Sequence, residues 1–71
     1  MTNTAKLNLV IEEKGYKLSF VAQYLGLSPY GFARKRDNKS EFTATEIDKL
    51  CTLLGIDMDG MIEIFFAKEE E

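Results

Sequence analysis

Apolar residues recur at helical spacing from one end of the chain to the other, and glycine, proline or a turn pair marks each break. Leu7, Val10 and Ile11 fall at i, i+3, i+4, and Gly15 follows as a stop. Thr4 or a polar neighbour is placed to cap this first helix. Leu18, Val21, Ala22 and Leu25 repeat the pattern over i to i+7, ended by Gly26. Ser28 then offers an N-cap and Pro29 a first helical residue whose missing N–H costs nothing, so a third helix is predicted to run to about Arg36. Asp37-Asn38 reads as a turn, since both residues tolerate left-handed backbone. Thr43 and Glu46 form a capping box before Ile47, Leu50, Cys51 and Leu54, a face closed by Gly55. Asp57 caps a last helix with Met58, Met61, Ile62 and Phe65 on one face. Ile64 and Phe66 fall on its flanks and widen the apolar arc to about 200°. Alternation at "EFTAT" is too brief for a strand. The pattern predicts an all-α fold, a compact bundle of five short helices in a single domain over residues 1–71. The charged tail 68–71 is expected to fray.

The 71 residues suit one domain, which buries only about 60% of its unfolded surface. An apolar content of 45% argues against disorder. The one cysteine, Cys51, forms no internal disulfide and suits a reducing, cytoplasmic setting. On the apolar face and without basic helical neighbours, it reads as a small core residue rather than a reactive thiol. There is no long apolar run, and the amphipathic N-terminus with Glu12 and Glu13 is unlike a leader. Without histidine, the commonest general base and metal ligand is missing, so catalysis, metal and cofactor are not expected. Charge changes the picture. The net charge is −3, yet residues 1–40 carry +4 and residues 41–71 carry −7. Four of the nine basic residues lie between Gly26 and Ser40. Local field acts over about 8 Å, so an acidic total does not exclude a polyanion partner.

The segment "VAQYLGLSPYGF" holds the decisive junction. Two residues separate the end of one helix from the start of the next, which forces a steep crossing, as in a helix-turn-helix over about residues 18–36. Gly26 supplies the turn, Ala22 permits close approach, and Val21, Leu25, Leu27 and Phe32 fill the angle. The sequence resembles the lambda-repressor-like, Cro/cI-type DNA-binding family of phages and prophages. Val21, Ala22, Leu25, Gly26, Leu27 and Ser28 meet its "L-A-x-x-L-G-I-S" pattern. Lys39 to Thr43 with Glu46 and Ile47 match its "K-S-E-F-T-x-x-E-I" string. The resemblance runs from Leu7 to about Ala67. Lys17 and Leu18 stand where the family has a capping Thr or Ser followed by Gln. Arg36 replaces a usual Leu, and Asp37-Asn38 replaces a usual Asn-Gly.

The resemblance implies sequence-specific binding of double-stranded DNA by a transcriptional regulator, a repressor in the first instance, with the third helix in the major groove. It places Pro29, Tyr30, Gly31 and Arg34 against base edges. Arg34 is the candidate for a bidentate contact to guanine. Lys17, Ser28, Lys35, Arg36, Asn38 and Lys39 are expected on the phosphate backbone. Each has a plainer role: Tyr30 packed on the surface, Arg36 covering apolar surface, Lys35 merely solvated. The excess apolar arc of the last helix suggests a homodimer through Ile64, Phe65 and Phe66, reading a near-palindromic operator. The alternative for Phe66 is a fold back onto the first or fourth helix. No membrane or small-molecule partner is expected. The alternative function is a protein–protein interaction module, for which the −7 half suits a basic partner.

Overall fold

Five α-helices build the domain in the computed structural model, which describes residues 1–68. They are α1 (Thr4–Lys14), α2 (Leu18–Tyr24), α3 (Pro29–Arg36), α4 (Ala44–Leu54) and α5 (Met58–Phe65). No strand occurs among the described residues. Residues 69–71, most of the tail expected to fray, lie outside the described residues.

Local chemistry sets the boundaries. Asn3, not Thr4, caps α1: its side chain accepts from the Lys6 N–H at 3.1 Å. The Thr4 hydroxyl instead donates to the Arg36 carbonyl at 2.6 Å, tying α1 to the end of α3. Lys17 precedes α2 and gives no side-chain cap. Ser28 caps α3 by accepting from Gly31 N–H at 3.0 Å, with Pro29 in the first turn. At α4 both halves of the capping box are made: Thr43 Oγ1 accepts from Glu46 N–H, and Glu46 Oε1 accepts from Thr43 N–H. Asp57 accepts from Gly60 N–H at 2.8 Å and caps α5.

The α2–α3 turn depends on Gly26, whose φ of 75° lies in the left-handed region. There its N–H donates to Gln23 O, and Leu27 N–H donates to Ala22 O at 2.9 Å. These two bonds satisfy the last carbonyls of α2 and send the chain into α3 after two more residues. Gly15 and Gly55 end α1 and α4 in the same backbone region.

Every helix feeds one core. Leu7 and Ile11 come from α1, Val21 and Ala22 from α2, and Phe32 from α3; Leu25 joins them just past α2. Ile47, Leu50 and Leu54 of α4 complete it with Ile64 and Phe65 of α5. Half-buried Phe42 bridges α3 to α5: its ring lies 6.1 Å from Phe32 and meets Phe65 edge-on at 5.7 Å.

The structure corrects two apolar faces. Leu18 is exposed, because it opens α2 at the rim, beside Tyr16, before the helix reaches the core. On α5 the inward face is Met61, Ile64 and Phe65; Met58 and Ile62 point outward. Ile64 is 1% exposed and Phe65 5%, so neither is available to a second copy, against the expectation that both line a dimer interface. The phase of α5 is fixed from outside the helix. Asn3 N–H donates to Ile64 O at 2.6 Å, Phe42 takes the Phe65 ring edge, and Lys6 of α1 pairs with Glu63. Phe66 stays 57% exposed rather than folding back onto α1 or α4.

Candidate nucleic-acid interface

The outward face of α3 begins at its capped N-terminus. Ser28 and Pro29 are exposed there, and Tyr30 beyond them is 72% exposed. Arg34 lies one turn further on the same side, with its guanidinium carbon 5.9 Å from the centre of the Tyr30 ring. Gly31 sits between cap and core; a Cβ there would lie 3.2 Å from Ser28 Oγ and crowd the cap. Phe32, the next residue, is buried beneath, so the helix presents its polar face with its axis held from below.

The chain folds back on this face after α3. Asn38 takes a φ of 65°. Its side-chain amide accepts from Thr2 N–H at 2.8 Å and donates to Thr2 O at 2.9 Å, so both polar ends are used. Beyond it, Lys39 N–H donates to Arg34 O at 2.8 Å, and Arg34 Nη2 donates to Lys39 O at 3.3 Å.

The basic residues divide into two sets. Lys17, Arg34 and Lys39 are exposed. Lys35 and Arg36 are committed within the chain. Lys35 Nζ donates to both Glu46 carboxylate oxygens, at 2.6 and 2.8 Å, with both side chains largely shielded from water. The reason is the capping box: it parks the Glu46 carboxylate at the start of α4, within reach of the last turn of α3. Burial pushes the Glu46 carboxyl up, but the hydrogen bonds from Lys35 and Thr43 outweigh it, and the group titrates below its ordinary value. Arg36 pairs with Asp37 through Nε and Nη2, at 3.1 and 3.3 Å, and lies 6.0 Å over the Phe32 ring. It covers the core rather than reaching outward. The hydrogen bond from Arg36, foremost, holds the Asp37 carboxyl below its usual range. Of the residues expected on the phosphate backbone, Lys35, Arg36 and Asn38 therefore have side-chain partners elsewhere in the chain, Ser28 is exposed while its hydroxyl caps its own helix, and Lys17 and Lys39 are exposed.

One exposed feature went unread in the sequence. Half-buried Tyr16, just before α2, and the exposed Phe20 and Tyr24 of α2 form an aromatic ladder, with ring centres 5.3 and 6.4 Å apart. Its signal in the sequence is the i, i+4, i+8 spacing, which lies off the apolar face of α2 that Val21 and Ala22 turn to the core. Cys51 is half-buried, and burial with the nearby Asp48 charge pushes its thiol pKa up, which suits a packing role. No described helix is long and apolar enough to cross a membrane.

The α2–α3 pair joined through Gly26, the outward Tyr30–Arg34 face and the capped N-terminus of α3 are the features to set beside known families. No curated protein and no solved structure matches the chain. The family model of the Cro/C1-type HTH DNA-binding domain matches residues 6–66, and the chain belongs to that family.

Proposed function

We propose that this DNA-binding domain recognises a specific duplex sequence with α3 in the major groove and acts as a transcriptional repressor of phage or prophage type. The observation that carries the reading is the outward pairing of Tyr30 and Arg34 behind the Ser28 cap. Arg34 reads a guanine edge through its fork of N–H donors. Tyr30, Pro29 and Gly31 lie against neighbouring base edges. Lys17 and Lys39 neutralise phosphates, and Ser28 presents the helix N-terminus to the backbone. Repression follows if the bound protein occludes promoter DNA, in the cytoplasm of a bacterial host. The "KSEFTATEI" string supports the phage or prophage assignment.

The protein works as a homodimer on a near-palindromic site. The proposed seam is the outer stripe of α5, where Met58, Ile62 and Phe66 follow one another at i, i+4, i+8. They are 71, 51 and 57% exposed, a concentration of apolar surface that marks an interface. Two-fold pairing sets the recognition helices about 34 Å apart, one turn of duplex.

Selection from a random duplex pool, followed by binding titrations across salt, tests the reading. Two phosphate lysines per subunit give a log–log slope of about −3.6 for a dimer, at about −0.9 per contact. Lys39→Ala shallows it by about 1.8 in the dimer, and Lys35→Met leaves it unchanged. Arg34→Ala relaxes preference at one base pair and costs about 1–3 kcal/mol on the selected site. No retardation of any duplex at low salt would instead favour a protein-interaction module, for which the aromatic ladder of α2 is the natural surface.

A further inference from the structure

We propose that Tyr30 is a positioning residue for Arg34. Its ring face and the Lys39 carbonyl together hold the guanidinium off α3 before any DNA arrives. The inference rests on the DNA-binding reading above and deepens it: base preference at the pair Arg34 reads depends on the π-face of a neighbouring side chain.

Arg34 is exposed on a helix surface, where an arginine ordinarily samples many rotamers. Here two groups restrict it from different sides. The Tyr30 ring lies under the guanidinium carbon at 5.9 Å, inside the range of a cation–π contact. The Lys39 carbonyl accepts from Nη2 at 3.3 Å. That carbonyl is itself fixed. The left-handed Asn38 turns the chain back, the Thr2 backbone grips the Asn38 amide on both ends, and Lys39 and Ser40 N–H groups donate to Arg34 O. A guanidinium carries five N–H donors, so one bond to Lys39 leaves enough for the parallel pair that guanine O6 and N7 accept. A fork held in advance loses less freedom on binding, and the saving applies only to the base that accepts both bonds.

Tyr30 makes no side-chain hydrogen bond to the described residues and is 72% exposed, so its replacement leaves the core intact. Wild type, Arg34→Ala, Tyr30→Ala, Tyr30→Leu and Tyr30→Phe are titrated by fluorescence anisotropy. The probes are the selected duplex and its three substitutions at the pair where Arg34→Ala loses preference. Tyr30→Ala and Tyr30→Leu are expected to reduce discrimination at that pair by about 2- to 5-fold, the range of an exposed cation–π contact. Tyr30→Phe keeps the wild-type preference at that pair, because the ring and not the hydroxyl supports Arg34. In the Arg34→Ala background, Tyr30→Ala removes nothing further at that pair. An equal loss on all duplexes, a Tyr30→Phe defect as large as Tyr30→Ala, or unchanged discrimination at the pair Arg34 reads each overturns the proposal while DNA reading stands. A wild-type protein that selects no duplex overturns both.

Discussion

Glu46 performs two tasks with one carboxylate, and substitutions can separate them. Oε1 accepts from the Thr43 N–H at 2.9 Å and from Lys35 Nζ at 2.6 Å, while Oε2 takes a second bond from Lys35 at 2.8 Å. Glu46→Gln leaves an amide oxygen able to accept from Thr43, so it retains the cap and removes only the ion pair. Exposed pairs contribute about 0–1 kcal/mol, and breaking a fully buried one costs about 3–5 kcal/mol. With side chains 18 and 12% exposed, this pair lies between those limits, at about 2 kcal/mol. Thr43→Ala removes the other half of the box and costs about 1 kcal/mol. Glu46→Ala loses both and costs about 3 kcal/mol.

In a domain of this size 1 kcal/mol moves the melting midpoint by about 4–8 °C. Thermal unfolding followed by circular dichroism at pH 7 should therefore order the variants Thr43→Ala, Glu46→Gln, Glu46→Ala, with midpoint losses of about 4–8, 8–16 and 12–24 °C. Lys35→Met, which keeps the aliphatic stem, should match Glu46→Gln, and the double variant should lose far less than their sum. A Glu46→Gln midpoint within about 2 °C of the parent, or strict additivity with Lys35→Met, would refute the clamp between α3 and α4 and return Lys35 to the uncommitted basic residues.

The depressed Glu46 pKa gives the clamp a pH signature. The unfolded chain takes up the proton first as pH falls, so the stability is present above the unfolded carboxylate value of about 4.3 and is lost through the folded one. The parent's midpoint should drop steeply between about pH 5 and 3, and that of Glu46→Gln less so; parallel curves would contradict the assignment. Core and seam on α5 separate in the same way. Ile64→Ala should cost about 2–5 kcal/mol at every protein concentration, whereas Ile62→Ser should shift sedimentation toward the monomer and lower the midpoint only at concentrations where the parent is dimeric.

How much of this was legible in the sequence follows from which forces are local. The ends of α3 and α4 were readable because Ser28-Pro29 and Thr43-Glu46 act on backbone within their own first turn. The α2–α3 junction was readable because Gly26 and the short link leave few ways to continue. The face of α5 was not. In "MDGMIEIFF" the apolar arc spans about 200°, too wide for the pattern to say which part of it faces the core. Asn3, Lys6 and Phe42, from distant parts of the chain, choose it instead.

The basic cluster after α3 shows the same division. Arg34, Lys35, Arg36 and Lys39 look alike as charges within six residues, and composition alone assigns them to one polyanion. Helical geometry sends them apart. Arg34 follows Tyr30 onto the outward face, and Lys39 lies exposed beyond the turn. Lys35 points toward α4, where a capping residue happens to present a carboxylate, and Arg36 turns over Phe32 and pairs with Asp37. Lys35 therefore fastens α3 to α4, Arg36 is taken up by α3 and its C-cap, and Arg34 and Lys39 remain exposed, the charge that the proposed reading sends to DNA. An acidic protein can hold a nucleic-acid surface on these terms. The carboxylate of Glu46 is neutralised in place by Lys35, and Arg34 and Lys39 keep their fields where α3 faces outward.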